Sequence, residues 1–77
     1  MRKDADRKKL AKKLGRNIAR ARSEAKLTQE KVAELTDIHD RHFQKIEGGE
    51  VCPSFPLIVE IKKKLKAEWS DILKGIG

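Results

Sequence analysis

The fold is decided by the stretch Thr28–Gly49, which reads TQEKVAELTDIHDRHFQKIEGG. Thr28 is a suitable N-cap, because its hydroxyl can accept a hydrogen bond from a free backbone N–H at the start of a helix. The residues after it repeat with helical spacing and give a narrow inner face made of Val32, Ala33 and Thr36. The stretch is therefore predicted to begin with a short amphipathic helix.

A second helix follows a break at residues 37–39 and ends at Gly48 and Gly49. Phe43 and Ile46, three positions apart, form its inner face. Its outer face carries hydrogen-bonding side chains that a core does not need, namely Asp40, Arg41, His42, Gln44 and Lys45. Two short helices joined by a tight turn, the second with a polar outer face, have the form of a helix-turn-helix recognition unit.

Length and composition allow one small domain, because the chain has 77 residues. With 38% hydrophobic and 4% aromatic residues, its core must consist mainly of aliphatic side chains, and oligomerisation is a common source of extra stability. The formal net charge of +7 attracts polyanions, of which nucleic acid is the commonest. An acidic membrane is the rival partner, but it would require a helix with bulky apolar residues facing lipid.

Several classes of protein are not expected. Cys52 is the single cysteine, which excludes an internal disulfide and fits a reducing cytoplasm, although an intermolecular disulfide stays open. The chain shows neither a signal peptide nor a membrane span, so we expect a cytoplasmic protein, associated with the nucleoid when bound to DNA. His39, His42 and Cys52 are an incomplete ligand set for zinc, and no catalytic constellation is visible. We therefore expect no metal, no cofactor and no enzymatic activity.

The residues before this stretch predict a first helix from about Arg7 to Ala25. Its apolar face would contain Leu10, Leu14 and Ile18, and Gly15 would permit a close approach by another backbone. The opposite face is basic and includes Arg16 and Asn17, which we expect at DNA phosphates. Residues 1–8 are interpreted as a basic N-terminal arm or a frayed helix start, and residues 9–77 as the domain.

Two more helices follow the stretch. Ser54 is the expected N-cap of a fourth helix that runs to about Lys66, with Ile58, Ile61 and Leu65 buried. A short fifth helix would contain Trp69, Ile72 and Leu73 and end at Gly75. The prediction is an all-α, compact five-helix bundle.

Leu27-Thr28-Gln29-Glu30, Ala33, Ile46-Glu47-x-Gly49 and Pro53-Ser54 together carry a family resemblance. The chain from Leu14 to Leu73 resembles the Cro and phage-repressor type of helix-turn-helix domain, also called the xenobiotic-response-element family. The resemblance implies a DNA-binding bundle with the helix-turn-helix at helices 2 and 3. Two positions depart from the pattern, since Asp37 replaces the usual turn glycine and His39 replaces the usual Ser or Thr cap. Histidine is a poor cap, so Asp40 is expected to share the capping.

The resemblance also implies roles for individual residues. Arg22 and Glu47 would form a partly buried ion pair, and Gln29 would hold a phosphate and brace the recognition helix. The base-reading set is Arg41, Gln44, Lys45, Asp40 and His39. Apart from the resemblance, we expect Thr28, Asn17, Arg16 and His42 to join Gln29 in the phosphate-binding set, although His42 could instead simply pack.

The chemistry of the reading face leaves alternatives open. Arg41 matches the O6 and N7 acceptors of guanine, or else pairs with Asp37 or Asp40. Gln44 suits adenine, and Lys45 suits guanine or a phosphate, unless both are simply solvated. Asp40 could accept from cytosine N4, enforce register by repelling phosphate, or favour the helix N-terminus through the dipole.

The expected function is a sequence-specific double-stranded DNA-binding transcriptional regulator, with repression as its expected effect. A homodimer would bind a palindromic operator. The dimer candidates are Trp69, Ile72, Leu73, Ile76 and Leu57, although Trp69 could instead plug the bottom of the core. The alternatives are a protein-interaction or antitoxin-like module that uses helices 4 and 5, and a non-specific nucleic-acid coat.

Overall fold

The computed structural model describes residues 2–76, and the side chains of residues 6–76. This part of the chain forms five α-helices and no strand: α1 (Arg2–Glu24), α2 (Gln29–Leu35), α3 (Asp40–Glu47), α4 (Phe55–Leu65) and α5 (Trp69–Ile72). The all-α five-helix fold is confirmed. None of these helices, over the described residues, has the length and apolar character that crossing a membrane requires.

The first helix begins earlier than predicted, at Arg2 rather than about Arg7. The backbone of residues 2–8, the segment interpreted as an arm or a frayed start, is therefore helical. Met1 and the side chains of residues 2–5 lie outside the described part, so the arm interpretation stays a prediction.

Every helix contributes to one core, whose fully buried members are Ile18, Val32, Ala33, Phe43, Ile46, Ile61 and Ile72. The predicted apolar face of α1 needs a correction, because Leu10 is 42% exposed. The buried stripe of α1 instead runs through Ala11, Leu14, Ile18 and Ala21. These positions follow 3- and 4-residue steps along one side of a 3.6-residue helix, and Leu10 lies about 100° away from Ala11.

Gly15 lets α1 approach the carboxyl end of α3 very closely. A Cβ atom at this position would lie 2.3 Å from the carbonyl oxygen of Ile46 and 2.7 Å from that of Glu47. Both neighbours are backbone atoms and cannot rotate away. The predicted close backbone approach at Gly15 is confirmed.

Asn17 fastens α5 to α1 and is not a surface residue. It is 4% exposed, and its Nδ2 donates to the carbonyl oxygens of Ile72 at 2.8 Å and Lys74 at 2.9 Å. Lys13 Nζ donates to the next such carbonyl, that of Gly75, at 3.1 Å. These bonds satisfy carbonyls left free at the last residue of α5 and just beyond it. The expectation that Asn17 binds a DNA phosphate is therefore wrong, because both amide hydrogens are used inside the protein.

The helices α1 to α4 end in the same way, with a left-handed residue that lets the chain turn back. These residues are Lys26, Asp37, Gly49 and Lys66, with φ of 60°, 58°, 77° and 56°. At each end the next residue's N–H returns to a carbonyl five positions earlier, as in Ile38 N to Ala33 O at 3.0 Å. This is the Schellman pattern, which usually uses glycine at the left-handed position.

The close contact at Gly15 predicts a large cost for adding one methyl group. Gly15→Ala should reduce the free energy of unfolding by about 3 kcal/mol, because the new Cβ must push α3 away from α1. Urea denaturation followed by circular dichroism measures the change. Gly48→Ala is the matched control, since Gly48 has φ −78° and its nearest new neighbour would be Gln44 O at 3.3 Å. A loss below about 1 kcal/mol for Gly15→Ala would contradict the packing described here.

Candidate nucleic-acid interface

The unit α2–turn–α3 is built from local caps around a shared apolar seam. Thr28 Oγ1 accepts from Lys31 N at 3.0 Å, which confirms Thr28 as the N-cap of α2. The turn contains Asp37 in the left-handed conformation, which an aspartate tolerates better than most residues. On the inner side, Val32 and Ala33 of α2 belong to the same buried cluster as Phe43 and Ile46 of α3.

His39 caps α3 through its ring. The backbone at His39 is extended, with φ −70° and ψ 144°, and its Nδ1 accepts from Arg41 N at 3.2 Å. The expectation that Asp40 shares this task needs a correction, since Asp40 is the first helical residue and His39 supplies the cap bond. A ring that accepts at Nδ1 carries its proton on Nε2, so His39 keeps one N–H donor free for another partner.

The outer face of α3 is polar and free of internal ion pairs. Arg41, His42, Gln44 and Lys45 are exposed, and Asp40 is half-buried. Over residues 6–76, the ion pairs are Arg22–Glu47 and Lys31–Glu34. Neither Asp37 nor Asp40 pairs with Arg41, so the internal alternative for that guanidinium is not observed.

A buried carboxylate joins the three helices around this face. Glu47 Oε2 lies 2.6 Å from Arg22 Nε, and Glu47 Oε1 accepts from Arg22 Nη2 at 3.2 Å. Gln29 Nε2 donates to the same Oε1 at 2.7 Å, and Arg22 Nη1 donates to Leu27 O at 2.9 Å. The Glu47 side chain is only 7% exposed. The ion pair expected between Arg22 and Glu47 is present, and Gln29 braces α3 through the same carboxylate.

The residues expected at phosphates occupy different environments. Thr28 and Arg16 are exposed, and Gln29 is half-buried at the start of α2. Gln29 uses an amide hydrogen on Glu47, which holds the side chain in place. Arg16 adjoins Gly15, the α1 residue that touches the end of α3. Asn17, as described above, is not part of this surface.

A second exposed surface lies on α4, on α5 and on Leu73, the residue that follows α5. Phe55 is 67% exposed, Trp69 37% and Leu73 45%. The rings of Phe55 and Trp69 are stacked, with centroids 6.0 Å apart and planes 4° apart, and Lys62 Nζ lies 5.2 Å from the centroid of the Trp69 ring. Trp69 therefore does not plug the core. We call Phe55, Lys62, Trp69 and Leu73 the aromatic surface.

The other dimer candidates lie deeper in the protein. Ile72 is fully buried and cannot contact a partner, which corrects its place among the candidates. Leu57 and Ile76 are half-buried and pack against the core. Phe55 was not among the predicted surface residues, and it lies at the first position of α4, three residues before Ile58. Its only sequence signal is a large aromatic residue directly after the Ser54 N-cap.

A family model for the helix-turn-helix domain matches residues 13–68 of the chain. This match includes α2, α3 and α4 completely, together with much of α1. The chain belongs to the helix-turn-helix domain family. A comparison with curated proteins finds no significant match.

The network at Glu47 predicts an unequal response to single and double substitutions. Arg22→Met should reduce the free energy of unfolding by about 3 kcal/mol, because it leaves a buried carboxylate without its ionic partner. The double variant Arg22→Met with Glu47→Leu should recover most of that loss, since it removes the charge as well. Urea denaturation of the two variants and the parent measures the coupling. Equal losses in the single and double variants would contradict the described burial of Glu47.

Proposed function

We propose that this helix-turn-helix protein is a sequence-specific double-stranded DNA-binding regulator of transcription, which reads the major groove with α3. One observation carries the proposal: α3 buries Phe43 and Ile46 and leaves Arg41, Gln44 and Lys45 exposed. The fold does not use these side chains in its core, and over the described residues no carboxylate pairs with Arg41. A helix of this kind fits the width of the major groove.

The base-reading roles follow from side-chain chemistry. Arg41 would donate two hydrogen bonds to guanine O6 and N7, and Gln44 would pair with adenine N6 and N7. Lys45 would donate to guanine or to a phosphate. Positions 41, 44 and 45 are three and four residues apart and share one side of the helix. Together they can contact neighbouring base pairs.

The start of α3 combines capping with recognition. His39 would use its Nδ1 on the helix and offer its Nε2–H to a base acceptor or a phosphate. Asp40 favours the helix N-terminus through the dipole and could also accept from cytosine N4. The negative charge of Asp40 would also repel a phosphate. It would therefore disfavour any position of α3 along the groove that brings this carboxylate close to the DNA backbone.

The remaining contacts would position the protein on the backbone. Thr28, Gln29, Arg16 and His42 are the proposed phosphate ligands, and the formal net charge of +7 supplies a sequence-independent attraction. Repression would follow from occupancy of a site that other proteins need. Binding as a homodimer would place two α3 helices about 34 Å apart and select a palindromic operator. The proposed role is non-enzymatic. Its proposed location is the cytoplasm, at the nucleoid when the protein is bound to DNA.

A second candidate function is a protein-interaction or antitoxin-like module. The exposed rings of Phe55 and Trp69 favour it, because large apolar side chains at a surface often mark a protein contact. In that case α4 and α5 would bind a partner of different sequence. A partner that co-purifies with the full chain in a fixed ratio, together with absence of duplex binding, would support this candidate.

The DNA-binding proposal predicts a strong salt dependence. A duplex selected from a random pool should bind with a log–log slope of about −0.9 for each phosphate neutralised. Gln29→Ala should weaken all duplexes alike, because a phosphate ligand carries no base information. Fluorescence anisotropy at several salt concentrations measures both effects. No binding to any selected duplex at low salt would eliminate the proposal.

Arg41 should determine the binding preference at one base-pair position of the duplex and have no effect on the preference at the others. Arg41→Ala should reduce discrimination at a single guanine by about 1–3 kcal/mol, because the bidentate contact is lost. Competition binding with duplexes changed at one position each gives this profile. Lys31→Ala is the matched control, since Lys31 is a cation on the neighbouring helix that pairs with Glu34 at 3.3 Å. An unchanged profile for Arg41→Ala would remove Arg41 from the reading set.

A further inference from the structure

The aromatic surface presents a flat ring to water. The chain has two Phe, one Trp and no Tyr, and of these only Phe43 is buried in the core. The Phe55 and Trp69 rings are parallel within 4°, with centroids 6.0 Å apart, and Phe55 is 67% exposed. Because each ring limits the motion of the other, a planar ligand that stacks on Phe55 meets a partner that is already ordered. The Phe55 ring is therefore a preformed platform for stacking.

Cations follow this platform along the same side of α4. Val59, Lys62 and Lys63 come four, seven and eight residues after Phe55, a spacing that places them on one side of the helix. Lys63 is exposed, and Lys62 is half-buried with its ammonium 5.2 Å from the centroid of the Trp69 ring. Over residues 6–76, no carboxylate forms an ion pair with either lysine. The two cations lie about 11–12 Å from Phe55 along the helix axis.

The anions near the aromatic surface lie away from this line. Glu60, the one carboxylate of α4, comes five residues after Phe55 and so lies about 140° around the helix from it. Glu68 is the N-cap of α5, and its backbone N–H donates to Asp71 Oδ2 at 3.2 Å. Glu68 and Asp71 are exposed and would repel a phosphate. An extended polyanion would therefore follow α4 from Phe55 towards the lysines and would not cross α5.

We propose that the aromatic surface binds single-stranded nucleic acid. One unpaired base would stack on the exposed face of Phe55, and the adjoining phosphates would lie at Lys62 and Lys63. Aromatic rings beside cations are a common means of binding single strands without reading their sequence. A base inside a duplex is covered on both faces by its neighbours, so this surface should reject a duplex. The site would be additional to the proposed reading of duplex DNA by α3.

The test uses the full chain and a labelled single strand of about 12 thymidines, whose binding is followed by fluorescence anisotropy. Wild type should bind this strand. A strand of the same length without its bases keeps the phosphates and loses the stacking, so it should bind about tenfold more weakly. The emission of Trp69, the only tryptophan, should change with the complete strand, because the base would stack beside it.

Substitutions separate stacking from simple attraction between charges. Phe55→Ser should bind the complete strand about tenfold more weakly and should no longer distinguish it from the strand without bases. Leu10→Ser is the matched control, because Leu10 is 42% exposed on α1, and it should bind like wild type. Lys63→Ala should reduce the log–log slope of affinity against salt by about 0.7. Circular dichroism should show an unchanged fold, since Phe55 and Lys63 are exposed.

The type of strand and the independence from α3 are tested with two more ligands. A uridine strand of the same length offers the same base faces and phosphates, and the tighter of the two strands identifies DNA or RNA as the partner. With a selected duplex, Phe55→Ser should retain its affinity. Arg41→Ala should retain affinity for the single strand. A protein that binds single strands through Phe55 and binds no duplex would support this site and refute the reading role of α3.

Four outcomes would overturn the single-strand site. They are no binding of either strand at low salt, equal binding of the strand without bases, unchanged affinity in Phe55→Ser, and an equal loss in Leu10→Ser. A dimer that depends on Phe55 and excludes the strand would assign the aromatic surface to a second copy instead, and sedimentation velocity with and without the strand detects it.

Discussion

The rest of the structure depends on the need to satisfy one buried carboxylate. Glu47 is the last residue of α3, and a charge at 7% exposure is costly unless donors surround it. Arg22 from α1 and Gln29 from α2 supply those donors. Since both donors come from other helices, the carboxylate keeps these hydrogen bonds only while α1 and α2 stay close to the end of α3. A buried ion pair of this kind adds little net stability over an apolar replacement, but the loss of one partner is costly.

The network acts on a helix that would not form by itself. An isolated segment of eight residues such as α3 is too short to be helical in water, so its helicity depends on packing. Phe43 and Ile46 provide the apolar anchor, and the missing side chain at Gly15 lets the end of α3 approach α1. Because the inner residues already hold the helix, the outer residues can change without a large effect on the fold. The exposed side chains of α3 that are proposed to read bases are therefore largely separate from the buried ones that stabilise the fold.

Features that require a particular residue type at one position could be predicted from the sequence. Features that depend on a neighbouring helix packed against the residue could not. Two kinds of feature were predicted correctly, namely the N-caps at Thr28 and Ser54 and the close approach at Gly15. Each requires a characteristic residue type at a recognisable place in a helical pattern. Asn17 was misjudged, since a polar residue beside arginines resembles a solvated position until the end of α5 is placed against it. The left-handed backbone at Lys66 could not be predicted from the sequence either, because glycine is the residue type that usually marks this conformation.

The helix α1 connects the two surfaces through which this protein is proposed to act. It holds α3 through Gly15 and Arg22, and it holds α5 through Asn17. In a dimer that uses α4 and α5, the distance between the two α3 helices would depend on the contacts that join α5 to α1 and α1 to α3. A shift of α5 relative to α1 would alter that distance, although neither helix belongs to the proposed reading face. The operator spacing of such a protein would consequently depend on buried polar contacts as much as on the interface between the copies.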